Sequence, residues 1–420
     1  FALTLPGTPV EVPTGVYDPL LGMTWQELGS RARALHRCQG MRQLKADPGE
    51  ARGVYFLVDA EPPLGDDLEG DILAGLDTTL VGLARFAPAR DSLRSALVEL
   101  QGTAEVARTA FDPHRPSAAV VPLAEHLGAT RELLGRLSEH VEDPTSRREI
   151  LERLRDEERD TERAMVLAQG LVVEARADDG LVTPGQAFGV TVSAWNHGPL
   201  AVELASLSLE VPEGWTVEGP GGDGGPLEPG GEARLRFAVT AAPEARPSQP
   251  YWRRGTDGDR HDLLVPAHDT LPWSPPAVRA RLAWRAGDAE ARVSIPAVFR
   301  YPGPFVGGEK QHVVQVVPAL SVRVSPERPV VALEGPASAL EVRAFVRHNA
   351  QGAGDAAVRL ETPPGWSVEP AAAALRFAYE GEEVAARFEV TPPPTRTKGT
   401  VALQAVAVRD GREYRETVQE

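Results

Sequence analysis

The chain has 420 residues, more than one hydrophobic core ordinarily serves, so two to four domains are expected. Its 42% apolar and 25% charged residues are those of a globular chain rather than a disordered one. With 44 Lys and Arg against 60 Asp and Glu the net charge is −16, a field that repels phosphate backbones and anionic lipid and argues against a nucleic-acid partner, and no apolar run is long enough to span a membrane.

The chain opens at Phe1 with neither a basic leader nor an apolar signal core, and it is read as a fragment or processed product of something longer. The single cysteine, Cys38, excludes an internal disulfide and leaves the compartment open. Residues 1–22 alternate around Pro6, Pro9, Pro13 and Gly15, a pattern of short extended pieces. TWQELGSRARALHR, 24–37, reads as a helix with Thr24 as N-cap and Glu27 three places on. VYFLV at 54–58 reads as a buried strand, and EPPLGDDLEGD after it as a surface linker closing a first unit.

From about Asp71 to Gln169 three helical stretches are separated by breakers. Leu93, Leu97, Leu100, Ala104, Ala107 and Phe111 mark the first, before Asp112, Pro113 and Pro116. Ser117 is placed as N-cap of the second, whose stripe is Leu123, Leu127, Leu134, Leu137 and Val141. Asp143 and Pro144 start the third, with Ile150, Leu151, Leu154, Met165 and Ala168 inward. Its charged run REILERLRDEERDTER is read as a solvated face laced with i to i+4 pairs. A helical hairpin or three-helix bundle results.

Gly170 closes that helix, and short alternating strands broken by Gly, Pro and Asp follow to the end, the pattern of immunoglobulin-like β-sandwiches. LEVPEGWTVEGP at 209–220 matches LETPPGWSVEP at 360–370, setting Trp215 against Trp366, 151 residues apart. The same step sets Phe237 on Phe388 and Val239 on Val390, so two copies of one sandwich are expected. Residues 245–317 between the copies read as a long excursion followed by a hairpin.

Phosphate loops, His-Glu-x-x-His, Cys-x-x-Cys and G-x-S-x-G are all absent. GPGGDG at 219–224 fits a bare glycine fingerprint but opens no helix, so it is read as a turn. His114 with His126 and His261 with His268 lack the spacing of paired metal ligands. Asp257, Asp259, His261 and Asp262 have oxygen ligands for calcium without the rest of a binding loop, and a solvated turn is preferred. Tyr251, Trp252 and Trp273 form either an aromatic platform for a sugar ring or a loop packed on the sandwich, the latter preferred. Trp215 and Trp366 are assigned to the core.

VPTGVYDPLLGMTWQELGSRARALHRCQGM at 12–41 resembles the C-terminal end of the catalytic domain of LmbE-like (PIG-L) zinc deacetylases, which act on N-acetylated amino sugars. The likeness lies in YDPLLG and in a helix ending in Arg33, His36, Cys38 and Gln39, where Cys38 stands in place of the family's serine. It implies zinc held by His-Pro-Asp-Asp-Glu and His-x-x-His motifs, neither of which occurs in this sequence, so the cofactor is expected in an N-terminal domain outside it. The resemblance makes Arg33, His36 and Gln39 candidates for the rim of a substrate pocket, with no catalytic and no metal-binding residue in the chain.

The expected fold is multidomain α+β: a remnant of an α/β deacetylase domain at 1–62, a helical region at 63–170, a β-sandwich with a long insertion at 171–317 and a second at 318–420. The expected function is that of the non-catalytic part of a zinc-dependent deacetylase, its sandwiches acting as spacers or anchors for a glycan or amino-sugar conjugate, in an extracytoplasmic or cell-envelope setting. The alternative is a carbohydrate-binding or adhesion protein built on tandem sandwiches.

Overall fold

The structure, a computed structural model, describes residues 9–36, 46–56, 72–73, 76–87, 91–220, 224–255, 260–286, 289–303 and 307–415. It has two compact units, Phe1–Arg85 and Phe86–Glu420.

In the first unit, β1 (Val10–Pro13) pairs antiparallel with β2 (Arg52–Tyr55). Between them lies α1 (Trp25–Ala34), capped as its sequence prescribes: Thr24 Oγ1 accepts from the Glu27 amide at 3.2 Å and Glu27 accepts from the Thr24 amide at 2.8 Å. The expectation of a buried strand at VYFLV is corrected over its described residues. Among the described residues β2 has a single neighbour, and Val54 and Tyr55 stay about half exposed; Leu57 and Val58 lie outside the described residues.

The second unit begins with α2 (Asp91–Ala110), α3 (Val120–His140) and α4 (Pro144–Gln169). α3 packs against both others, and the His140 ring at its end meets Ser92 at the start of α2 at 3.2 Å, so these two run antiparallel. Leu93, Leu97, Leu100, Leu127, Leu137, Ile150, Leu154 and Met165 are buried as the periodicity predicts. Phe111 falls beyond the helix end and is exposed, Leu133 is more buried than Leu134, and Ser117 lies in a short 3-10 turn before α3 rather than at its cap. Asp143 caps α4 by accepting from the Ser146 amide at 2.7 Å, and Gly170 ends it at φ 73°.

The charged run on α4 is only partly solvated. Glu157 meets the buried His126 at 2.9 Å, and His126 also meets Thr103 at 2.7 Å, tying the three helices together. Arg131 donates to Glu158 and Glu162, each at 2.6 Å, and to the Glu290 carbonyl; Glu162 accepts in turn from the Arg292 amide at 3.0 Å. Burial pushes the Glu162 carboxyl up, against the opposing pull of Arg131. The helical face read as solvent-exposed therefore joins the bundle to the sheet.

The first sandwich comprises β3 (Leu171–Ala177), β4 (Ala187–Asn196), β5 (Val202–Glu210), β6 (Thr216–Glu218), β7 (Gly225–Leu227), β8 (Glu232–Thr240), β9 (Trp252–Arg254), β10 (His261–Leu263), β11 (Arg279–Ala286), β12 (Ala289–Pro296), β13 (Val298–Pro302) and β14 (Glu309–Val313). One sheet has the order β14-β13-β3-β4-β8-β6, the other β7-β5-β11-β12, and β9 with β10 forms a separate hairpin. Val190, Val192 and Phe237 from one sheet share a core with Leu204, Leu282 and Trp284 from the other. Val120, Ala124 and Leu127 of α3 and Met165 of α4 belong to that same core.

The second sandwich comprises β15 (Leu320–Ser325), β16 (Leu340–His348), β17 (Gly354–Glu361), β18 (Ser367–Glu369), β19 (Ala373–Phe377), β20 (Glu383–Thr391), β21 (Gln404–Arg409) and β22 (Arg412–Arg415). Its sheets, β15-β16-β20-β18 and β19-β17-β21-β22, repeat the first sandwich strand for strand, without the β13–β14 edge hairpin or the β9–β10 excursion. The registers agree: Phe237 sits opposite Val190, and Phe388 opposite Val342. The chain is thus a mixed α+β protein whose larger part is two β-sandwiches.

The duplicated turns are equally close. The Trp215 amide donates to Pro212 O at 3.2 Å and the Trp366 amide to Pro363 O at 3.3 Å. The preceding glycines, Gly214 at φ 80° and Gly365 at φ 88°, hold a left-handed backbone that any other L residue resists. Where β4 and β16 end, Asn196 and His348 make matching bonds: their amides donate to Gly231 O and Glu382 O, and their carbonyls accept from Gly230 and Gly381. The backbone thus sets Asn196 on His348.

Candidate functional site

One end of the first sandwich carries a cleft of about 440 Å³. The turn after β5 supplies Pro212 to Trp215, and the turn after β8 supplies Ala242, Glu244, Ala245, Arg246 and Ser248, with Ala277 and Val316 completing the wall. The two turns approach each other where Gly214 faces Ala242; a Cβ on Gly214 would stand 3.5 Å from that methyl. Ser248 is fixed by two bonds with Val316, its amide donating to the carbonyl at 2.8 Å and its hydroxyl accepting from the amide at 3.0 Å.

Trp215 is half-buried, its ring meeting Phe188 edge-on at 6.1 Å and 89°. It therefore packs on the core, as its repeat position predicts, and also lines the cleft, which the sequence reading missed. Glu213, Glu244, Arg246 and Ser248 are exposed at the lip. The result is an apolar wall bordered by two carboxylates, a guanidinium and a hydroxyl, an arrangement suited to holding a ligand with both an apolar face and hydroxyl groups. The signal available in the sequence was the second turn, AAPEARPS, whose polar residues reach the tryptophan only through the pairing of β8 with β6.

The other sequence candidates lie elsewhere. Arg33 is in the last turn of α1, and His36 follows it, its amide donating to Arg33 O at 3.1 Å; Cys38 and Gln39 lie outside the described residues. Asp257 and Asp259 also lie outside them, while Asp262 pairs with Arg253 at 3.4 Å and His261 meets the Trp252 ring edge-on. His126 is a buried helix-to-helix link, and the described part of 219–224 is a connection between β6 and β7. Trp366 packs against the second core. Trp273 does not pack on the sandwich: it is 82% exposed. Among the described residues, no group of three or more His, Cys, Asp or Glu is gathered to hold a metal ion, and no helix is long and apolar enough to cross a membrane.

With this geometry in view, comparison with known proteins identifies one segment. Residues 182–252 match the NPCBM-associated, NEW3 domain of alpha-galactosidase. The match spans the first sandwich from before β4 to the start of the β9–β10 excursion and contains both turns of the cleft. No curated protein matches the chain. Among solved structures, the secreted serine protease VesC from Vibrio cholerae is similar at 11% identity and a TM-score of 0.20, over 59% of this chain and 51% of that one. The chain thus spans about half of VesC, and a likeness this remote carries no argument about fold or function.

Proposed function

We propose that this chain is the non-catalytic, carbohydrate-binding portion of a larger carbohydrate-active protein, with the Trp215 cleft as its sugar site. The observation that carries this reading is the coincidence of site and family segment: Pro212–Trp215 and Ala242–Ser248 all fall within the stretch matched to a domain of alpha-galactosidase. An indole face takes the C–H face of a pyranose, while Glu213, Glu244 and Arg246 at the lip suit its hydroxyls. Titration calorimetry of the full chain with galactosides and N-acetylated amino sugars tests it. Trp215→Ala and the exposed Arg246→Ala are both expected to weaken binding while the chain stays folded; undiminished binding by both variants refutes the assignment.

The finer part of the proposal is that the parent protein is a zinc-dependent deacetylase of N-acetyl sugars in an extracytoplasmic or cell-envelope setting. Its support is the stretch 12–41, which lies in the first compact unit, separate from the sandwiches. The residues of this chain do not fit a zinc site: it contains neither His-Pro-Asp-Asp-Glu nor His-x-x-His, and no chemical step is assigned to it. Arg33 and His36 are then pocket-rim residues contributed to that enzyme's catalytic domain. Sequencing the gene product upstream of Phe1 and assaying zinc in the full protein tests this; a parent without that motif and without stoichiometric zinc refutes it.

A further inference from the structure

The excursion between β8 and β11 has no counterpart in the second sandwich, and it carries the most exposed tryptophan of the described residues. Its two stems both belong to the cleft wall, the outgoing one at Ser248 and the returning one at Ala277. Just outside, Ser274 Oγ donates to Gln249 O at 3.4 Å, holding the stems together at the cleft mouth. Trp273 is the residue next to that tie. It stands four positions before Ala277, so its backbone is at most about 14 Å from the cleft wall.

The excursion has its own internal support. The Tyr251 carbonyl accepts from the Leu264 amide at 2.7 Å and the Val265 amide at 3.2 Å, and the Tyr251 hydroxyl donates to Leu271 O at 2.6 Å. Trp252 meets His261 edge-on with centroids 4.5 Å apart and remains 39% exposed. A braced segment that leaves Trp273 82% and Trp252 39% exposed, with both of its stems in the wall of a cleft that a third indole lines, offers further stacking surfaces at that end of the sandwich.

Resting on the sugar-site reading above, we infer that the ligand is an oligosaccharide chain, one unit of which occupies the Trp215 cleft while further units extend across Trp273 and Trp252. One indole face is about a quarter of the roughly 200 Å² an aromatic side chain can bury, so covering it corresponds to about tenfold in affinity. The experiment is calorimetry of the full chain with two series graded in length, chito-oligosaccharides and α-galactosides, each beginning at the monosaccharide. Affinity is expected to rise with length by about tenfold for each indole covered, and Trp273→Ala, a change at a surface position, is expected to remove about tenfold of that rise while leaving monosaccharide binding intact. Affinity independent of length, or a rise untouched by Trp273→Ala and Trp252→Ala together, overturns the inference and leaves the cleft assignment standing. Silence of every sugar in both series overturns the cleft assignment, and this inference with it.

Discussion

Replacing Arg131 by methionine tests whether the charges on α4 join the helices to the first sandwich. The guanidinium loses three acceptors at once, Glu158, Glu162 and the Glu290 carbonyl. Breaking a fully buried ion pair costs about 3–5 kcal/mol, and because the Arg131 side chain keeps 27% of its surface in water, about 2–3 kcal/mol is expected at neutral pH. The loss carries a pH signature. Burial already holds the Glu162 carboxyl above its ordinary value, and Arg131 is the opposing influence. Without Arg131 the folded-state value rises further. A carboxyl raised on folding weakens the protein as pH climbs through its unfolded value of about 4.3 toward the folded one, because the folded state then holds the extra proton. The variant's deficit is therefore larger at pH 7 than at pH 4. Denaturant midpoints followed by helical circular dichroism measure both. An equal deficit at the two pH values refutes the electrostatic account and reduces Arg131 to a packing residue.

Two further predictions concern the ends of the sandwiches. Gly198→Ala places a methyl against the Gln169 carbonyl, backbone that cannot move aside, and is expected to cost about 3 kcal/mol, read as a lower denaturant midpoint of the first sandwich. Burial first, then the Arg409 guanidinium, lowers the pKa of His348, whose ring stacks on Phe377 at 5.1 Å, while the Tyr379 backbone and then Glu382 act in the opposite sense. Arg409 only donates, so the His348 nitrogen facing it accepts and the ring is neutral. A histidine lowered on folding keeps its full contribution above its unfolded value of about 6.5 and loses it as pH falls through that value. Stability of the second sandwich is thus expected to decline from pH 7 to pH 5, and His348→Gln to flatten that decline; an unchanged slope in the variant assigns the pH dependence to other groups.

Much of the fold was legible where the signal is local. The Thr24–Glu27 capping box, the Asp143–Pro144 start of α4 and the Gly170 stop each lie within a few residues of the structure they specify, and the repeat of Phe237 on Phe388 was legible because both copies keep the same spacing. What escaped depends on partners distant in sequence. Glu157, Glu158 and Glu162 look like a solvated face until His126, Arg131 and the Arg292 amide are brought to them by α3 and β12. VYFLV looks buried, but Val54 and Tyr55 are half exposed on a strand with one neighbour among the described residues. Trp215 was legible as a core residue but not as a cleft wall, because half of an indole can serve each role and the residues opposite it arrive on another turn. The exposure of Trp273 reverses the preferred reading of its loop, since a Pro-rich stretch with apolar residues has the same pattern whether it folds back or stands away.

The core shared by α3, α4 and the first sandwich makes the two copies unequal as heritable pieces. Leu320, Val342, Phe388 and their neighbours form a closed cluster with no helical member, so the second sandwich can be cut out, transplanted or duplicated with its interior intact. The first cannot: severing the chain at Gly170 strips Val120, Ala124, Leu127 and Met165 from its interior and leaves that face bare. In any lineage that shuffles such modules, the second copy is the one able to travel alone, while the copy bearing the Trp215 cleft moves only with its helices.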